Sequence, residues 1–303
     1  RVLDEDTDNI LGEFGDPLRE TPWSIQGLVM GDVQSGKTAN YTGLINKAAD
    51  VGYKVIVLLT GVIEELRAQS QSRLDSGFIG RDSRDLLEGN QGSEKIGVGR
   101  YRQRAPNVLT SVDFDFLTKN AKALGGIPLK NIQEPVLVVM KKNKTPLTNL
   151  KAFIESQIDR NSVQLDLPLL ILDDEADNAS VNARTDDDPA TINKLIREIR
   201  DKFRRSTYCA YTATPFANVF INPESNDLFP ENFVYSINPP SNYVGPATIF
   251  SEDGRHYYQL VNIDDAEDVI PEKHKKDHKI QQLPRSLEQA IQVFLLSCVA
   301  RDL

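Results

Sequence analysis

The sequence is poor in the residues that build disulfide frameworks and zinc sites. It contains two cysteines and three histidines among 303 residues. Cys209 and Cys298 lie far apart inside apolar stretches, which favours buried thiols in a reducing cytoplasm over a disulfide or a metal site. His274 and His278 are four residues apart, but no cysteine or carboxylate completes a zinc set at family spacing. We therefore expect a cytoplasmic protein.

Long hydrophobic runs and an excess of positive charge are also missing. The apolar stretches have the length of single strands, and no charged segment followed by an apolar one stands at the N-terminus, so we expect neither a membrane span nor a signal peptide. The net charge of -9 argues against a protein that coats nucleic acid through its overall field. Any nucleic acid must therefore be held by a local groove.

A phosphate-binding pattern stands near the N-terminus. Residues 31–38, GDVQSGKT, match G-x-x-x-x-G-K-[ST] at every fixed position. An apolar strand is predicted at 28–30 before the pattern, and a helix over 38–50 after it. Glycines let backbone N–H groups converge on phosphate oxygens, and the helix directs the positive end of its dipole at them. The predicted phosphate-binding residues are Gly31, Gln34, Ser35, Gly36, Lys37 and Thr38.

An acidic segment follows an aliphatic strand at 169–172. Its sequence is DDEAD over 173–177. A P-loop enzyme needs one carboxylate near Thr38 to hold Mg²⁺ and a second to orient and deprotonate the attacking water. We assign Asp174, with Thr38, to the metal and Glu175 to the water, so that Lys37, Asp174 and Glu175 are the predicted catalytic residues. The alternative is an acidic turn or a helix N-terminus, where carboxylates are common.

A third segment, TATP at 212–215, ends a strand predicted at 207–211, after a helix predicted over 190–204. Thr212 and Thr214 are predicted to sense the state of the γ-phosphate and relay it to a bound substrate. The alternative is a strand end broken by proline.

The order of elements predicts the fold class. Strands at 54–60, 135–140 and 168–172 alternate with helical patterns at 63–74 and 147–159, which is typical of a parallel sheet with crossover helices. Residues 76–103 are polar and without sustained periodicity, so we predict an insertion there with one short helix at 84–88. The prediction is an α/β P-loop domain with a mostly parallel sheet flanked by helices.

Taken together, the three segments resemble the motifs of superfamily-two helicases and translocases. More narrowly, residues 33–44 and 211–220 resemble the Z-one domain family, bacterial helicase-like ATPases linked with restriction-type defence and often labelled endonucleases. The resemblance extends through 227–230 and 239–243. It implies a RecA-like fold, ATP with Mg²⁺ as cofactors, action on duplex DNA, and protein partners in a defence system.

The resemblance also implies contacts to nucleic acid and nucleotide. One strand-gripping segment corresponds to Gly61, Arg67, Gln69 and Arg73, and a second to Lys141, Lys142 and Asn143. For Arg73 and the two lysines, solvated surface is an equally good interpretation. Ahead of the P-loop, Gln26 is predicted to read the adenine edge, and Trp23 either stacks on adenine or packs in the core.

The predicted domains are an N-terminal segment (1–24), a first motor domain (25–240), and a linker with a helix (241–303) leading to a second motor domain that the sequence lacks. Because such a domain supplies arginines for hydrolysis, we expect a piece of a longer protein that hydrolyses ATP weakly. No Pro-Asp followed by Asp/Glu-x-Lys supports a nuclease site here. Two functions stay open, a helicase-like DNA translocase and a nucleotide-switched protein-binding module with little hydrolysis, and the second carboxylate favours the former.

Overall fold

The computed structural model describes residues 2–32, 36–90, 92–101, 105–117, 128–178, 180, 191–221, 227–280 and 282–302. The chain forms two compact units, Arg1–Tyr243 and Val244–Leu303. The strands of the first unit are β1 (Trp23–Met30), β2 (Val55–Thr60), β3 (Asn107–Val108), β4 (Val136–Lys141), β5 (Leu165–Asp174), β6 (Phe203–Thr212) and β7 (Phe233–Ser236). Its helices are α1 (Val2–Gly12), α2 (Lys37–Val51), α3 (Glu64–Leu74), α4 (Ser83–Leu87), α5 (Lys144–Gln157), α6 (Thr191–Arg200) and α7 (Phe216–Val219).

The seven strands form one sheet in the order β3-β4-β2-β5-β6-β1-β7. Every strand pair that the structure describes is parallel. The predicted α/β fold, a RecA-like P-loop arrangement with a parallel sheet flanked by helices, is confirmed. Because all strands run the same way, their carboxyl ends meet at one edge, where ligands bind in open α/β sheets.

Both faces of the sheet are covered. Residues 55, 57 and 59 of β2 belong to a core cluster with α5 and α6, and residues 56 and 58 belong to a second cluster with α1, α2 and α3. Successive side chains of a strand point to opposite faces, so an uninterrupted aliphatic run is what two buried faces require. The central strands are therefore held from both sides.

Several predicted boundaries differ from the structure. The helix predicted over 190–204 ends at Arg200, and Phe203 instead begins β6, where it pairs with Leu165 of β5. Residues 76–103, predicted as a polar insertion, include α4 and a π-helical turn, Asp75–Ile79, whose Phe78 joins the core. Residue 190, where the helix over 190–204 was predicted to begin, lies outside the described residues.

The first helix and the last strand of this unit were not predicted. α1 is rich in acidic residues, yet it buries Asp6, Thr7 and Ile10. The carboxylate of Asp6 accepts hydrogen bonds from Tyr235 Oη at 2.8 Å and from the backbone and side-chain amides of Asn238. The N-terminal segment is therefore fastened to the β7 region by polar contacts that a hydrophobic pattern does not reveal.

The second unit contains α8 (Pro246–Phe250), α9 (Ala266–Val269) and α10 (Arg285–Asp302). Many of its apolar side chains are exposed, including Phe294 and Leu296 of α10. Among the helices that the structure describes, none has both the length and the apolar character that crossing a membrane requires. Both cysteines are free thiols, Cys209 buried and Cys298 half-buried.

Candidate functional site

The three sequence motifs meet at the carboxyl edge of the sheet. β6 lies between β1 and β5, so the TATP segment stands between the phosphate loop and the acidic turn. The backbone N–H of Gly31 donates to the carbonyl of Thr212 at 3.1 Å, which joins the first and third motifs directly. A cavity of about 1240 Å³ opens at this edge, lined among others by Gly36, Lys37, Thr38, Arg73, Asp174, Glu175, Asp177, Thr212 and Thr214.

The described part of the phosphate loop has the geometry that its sequence predicts. Gly36 precedes α2 with a φ of 97°, a left-handed conformation that glycine adopts without strain. The Lys37 ammonium donates to the carbonyls of Gly31 at 3.1 Å and Asp32 at 2.9 Å. Burial lowers the pKa of Lys37 against the opposing attraction of nearby carboxylates, Asp174 first among them. Gln34 and Ser35, also predicted to bind phosphate, lie outside the described residues.

Thr38, the predicted metal ligand, has an unexpected neighbour. The guanidinium of Arg73, at the end of α3, donates to Thr38 Oγ1 at 3.2 Å. Arg73 also lines the cavity, so the structure places it beside the predicted phosphate-binding residues, although the family resemblance implies a nucleic-acid contact. A cation here can stabilise negative charge beside Lys37.

The two predicted catalytic carboxylates differ in their surroundings. Burial, with the neighbouring charge of Glu175, raises the pKa of Asp174 from 3.8 to about 6. Glu175 has a φ of 54°, the one positive φ among the described non-glycine residues. Its carboxylate lies over Gly61, where an added Cβ would be 2.5 Å from Oε2. Thr38 and Asp174, the predicted metal ligands, would supply two oxygen atoms, a number that suits Mg²⁺, which takes its remaining ligands from phosphates and water.

A buried ion pair lies beneath the acidic turn. The Lys142 ammonium is 3.0 Å from Asp173 Oδ1, and both side chains are fully buried. Lys142 also donates to the carbonyls of Asp174 at 2.8 Å and Glu175 at 2.5 Å. The hydroxyl of Tyr208 on β6 donates to the other Asp173 oxygen at 2.7 Å. The first aspartate of the motif is thus structural, and Lys142 is closed off from the nucleic acid that it was predicted to contact.

The predicted coupling threonines contact the last residue of the acidic segment. Thr212 Oγ1 donates to Asp177 Oδ1 at 2.7 Å, and Thr214 Oγ1 donates to Asp177 Oδ2 at 2.7 Å. Burial raises the pKa of Asp177, but the two hydroxyl donors outweigh it, so the pKa lies below its ordinary value. The second and third motifs therefore share one hydrogen-bonded carboxylate.

The structure corrects the predicted adenine contact of Gln26 and agrees with the packing interpretation of Trp23. Gln26 is 6% exposed, inside the sheet, where Arg200 donates to its side-chain oxygen. Trp23 packs edge-on against Tyr53 and donates to the carbonyl of Asp16 at 3.1 Å. Both residues lie in the first half of β1, away from the carboxyl edge, so they are core and packing residues.

The other residues predicted to grip nucleic acid are only partly accessible. Gly61 is buried, and Arg67 is fully buried, with hydrogen bonds to the carbonyls of Ser111 and Val112. Lys141 pairs with Glu64 at 2.6 Å and keeps 22% of its side chain exposed. Gln69 is exposed. Arg67 therefore serves the fold and Gly61 makes room for the Glu175 carboxylate, whereas a nucleic-acid contact by Gln69 and Lys141 stays a prediction.

Sequence patterns did not reveal two functional contacts of this site. A lysine directly after a strand is usually a surface residue, so nothing in the sequence indicated that Lys142 would turn inward. The role of Asp177 was open to inference, because the last acid of DDEAD follows the strand end that TATP neighbours in a parallel sheet. The described residues include no cluster of three or more His, Cys, Asp or Glu side chains that could hold a metal ion by themselves.

Comparison with known proteins finds similarity only among solved structures. No known family matches the sequence, and no curated protein matches it. Among solved structures, the chain is similar to the ATP-dependent Type ISP restriction-modification enzyme LlaBIII bound to DNA, with a TM-score of 0.41 and 9% sequence identity. The match covers 71% of this chain but spans only 12% of that enzyme.

Proposed function

We propose that the first unit binds ATP with Mg²⁺ and hydrolyses it, as the ATP-driven domain of a helicase-like DNA translocase. The observation that supports this proposal is the meeting of three motifs in one cavity, with Asp177 hydrogen-bonded to both coupling threonines. A phosphate loop alone would support only binding. The second carboxylate, Glu175, and the contact with TATP are the parts that hydrolysis and its transmission require.

Each residue has a role in this proposal. The backbone after Gly31 and the N-terminus of α2 hold the phosphates, and Lys37 exchanges its loop carbonyls for phosphate oxygens. Thr38 and Asp174 hold Mg²⁺, which when bound neutralises charge on the phosphates. Glu175 accepts a proton from the attacking water. Thr212 and Thr214 link this turn to the neighbouring strand.

The finer parts of the proposal come from the resemblance of the motif segments to the Z-one domain family. They are duplex DNA as the substrate, held in a local groove, a role with protein partners in a restriction-type defence system, and a cytoplasmic location. With a net charge of -9, such a groove must depend on a few exposed cations, and DNA binding should weaken steeply with salt.

The test is ATP binding by calorimetry and ATP hydrolysis with and without duplex DNA. Lys37→Ala is expected to lose binding, and Glu175→Gln to keep binding but lose turnover. The matched controls are Lys47→Ala, on the same helix but paired with Asp4 and Asp8, and Glu155→Gln, a surface residue paired with Lys202. Both controls are expected to behave as the parent chain.

Absence of ATP binding in the parent chain would contradict the proposal as a whole. Tight binding without turnover, whatever nucleic acid is added and whether this chain or a longer protein that contains it is assayed, would instead support the nucleotide-switched binding module. ATP hydrolysis at the same rate with and without DNA would support an ATPase and contradict the DNA translocase.

A further inference from the structure

We infer that Lys142 is a positioning residue that fixes the backbone of Glu175 in its left-handed conformation. Lys142 is not among the residues that line the cavity. Its ammonium donates hydrogen bonds to main-chain carbonyls. The two carbonyls are those of Asp174 and Glu175, at 2.8 and 2.5 Å. They stand on either side of the Glu175 α-carbon, so one cation holds both peptide groups that define its φ and ψ.

The conformation needs such support. A non-glycine residue with a φ of 54° is uncommon and strained, and it persists only where the surroundings enforce it. Without Lys142, the turn after β5 would relax towards a right-handed conformation. The Glu175 carboxylate would then leave its place over Gly61.

The charge of Lys142 is balanced below the turn. Asp173 lies 3.0 Å from the ammonium, and Tyr208 holds the second oxygen of that carboxylate. A buried ion pair adds little net stability compared with apolar side chains, but it can enforce one geometry. Here the pair and Tyr208 link β4, β5 and β6 directly under the acidic turn.

The inference concerns the local backbone, and its consequence for turnover rests on the proposed ATP hydrolysis. A carboxylate displaced by about 1 Å from a reacting water can lower the rate roughly 100-fold. Nucleotide binding is made by the phosphate loop and α2, so it should persist when Lys142 is replaced. Loss of kcat with retained affinity is therefore the expected signature.

The experiment compares variants in which the buried carboxylate has already been neutralised. Asp173→Asn is the reference, because it keeps the lysine; it leaves the ammonium without its carboxylate, so the parent chain is measured beside it. Adding Lys142→Met removes the donor to both carbonyls without leaving an unpaired buried charge. Adding Lys142→Gln instead leaves one amide able to hold a carbonyl, and this variant is measured beside the Met variant in case the latter does not fold.

Two readouts are taken on each variant. Amide hydrogen exchange follows Ala176 and Asn178, whose N–H groups bond to Tyr211 and Glu175 carbonyls, with Leu172 inside β5 as the internal control. The exchange rates of the turn amides are expected to rise about tenfold or more in the Met variant. Turnover is expected to fall about 10- to 100-fold below the reference, with ATP-analogue affinity unchanged and the Gln variant in between.

The readouts separate this inference from the proposed function. If the parent chain does not hydrolyse ATP, the proposed function fails, yet hydrogen exchange still decides whether Lys142 holds the turn. Equal exchange and equal turnover in the reference and the Lys142 variants would overturn the inference. So would a loss of ATP-analogue affinity that matches the loss of turnover.

Discussion

Gly61 shows how one absent side chain shapes the site. It follows β2 and faces the Glu175 carboxylate, at a distance that leaves no room for a Cβ. The carboxylate is thus placed by a small residue on one side, while the backbone of Glu175 is bonded to Lys142 on the other. At the residue scale, catalysis here should depend on neighbours that do not themselves touch a nucleotide.

Gly61→Ala is expected to displace Glu175 and lower ATP turnover by about tenfold or more, with little change in ATP-analogue affinity. The measurement is steady-state hydrolysis beside calorimetric binding. Gly12→Ala is the control, because a Cβ there would meet nothing within 4 Å. Unchanged turnover in Gly61→Ala would show that the carboxylate position is not critical.

The raised pKa of Asp174 predicts that the free energy of unfolding depends on pH. Its pKa is about 6 in the folded chain against an ordinary 3.8, so between these values the folded state binds more protons than the unfolded state. The free energy of unfolding therefore falls as pH rises from about 4 to about 6, by about 2 to 3 kcal/mol in total.

Asp174→Asn is expected to remove this slope and to be more stable than the parent chain at pH 7 when metal is chelated. Urea unfolding between pH 4.5 and 7 with a chelator measures it. Asp159→Asn, at an exposed pair with Lys130, is the control and should change stability by less than about 0.5 kcal/mol. Parallel slopes in parent and Asp174→Asn would contradict the prediction.

At this scale the sequence predicts residues whose chemistry follows from a motif. It misses residues whose role depends on where the side chain points in the fold. Lys37, Thr38, Asp174 and Glu175 were predicted from the motifs, and all four line the cavity. Their exact catalytic roles stay predictions. Lys142 could not be inferred, because whether a lysine turns inward depends on strands distant in sequence, here β5 and β6.

β6 is the element that brings the site together. It separates β1 from β5 in the sheet, and its end supplies both hydroxyls that bind Asp177. A change in the acidic turn can therefore reach β6 through this carboxylate. The proposed coupling would act through these two hydrogen bonds to Asp177.

Replacing both Thr212 and Thr214 by valine is expected to leave Asp177 without these donors and to lower the free energy of unfolding by about 1 to 3 kcal/mol. ATP binding should persist, while stimulation of hydrolysis by duplex DNA should be lost. Chemical unfolding and hydrolysis with and without DNA measure the two effects. Thr145→Val, at an exposed position in α5, is the control, and DNA stimulation that survives in the double variant would contradict the coupling role.

Elements with uninterrupted apolar runs were predictable, and elements held by polar contacts were not. β2, β4 and β5 are buried on both faces, and their aliphatic runs show it directly. α1 is acidic and shows no helical hydrophobic pattern. One of its buried residues is Asp6, which accepts hydrogen bonds from Tyr235 and Asn238, and a hydrophobic pattern does not reveal such a contact. The end of α6 was missed because Phe203, an apolar residue at helical spacing, pairs with β5 instead.

At the scale of the whole molecule, the cavity belongs to one unit. All described residues that line it lie between positions 3 and 214, within Arg1–Tyr243. Both core clusters also lie in this unit. Folding and nucleotide binding should therefore not depend on the second unit.

A chain ending at residue 243 is expected to melt within a few degrees of the full chain and to bind ATP with the same affinity. Calorimetry and ATP titration test this. A chain ending at residue 200 is the matched comparison, since it lacks β6 and β7, the partners of β1, and it is expected not to fold. Failure of the 243-residue chain to fold would show that the second unit is required.

The position of β1 in the sheet also sets an order of events during synthesis. Its residues pair with those of β6, roughly 180 positions later in the chain. At about 5 to 20 residues per second, a ribosome delivers that partner roughly 10 to 40 s after β1 has been made. Until then, the apolar strand β1, which precedes the phosphate loop, lacks its β6 partner. We therefore expect the nascent chain to need chaperone protection early in synthesis and to acquire nucleotide affinity only late.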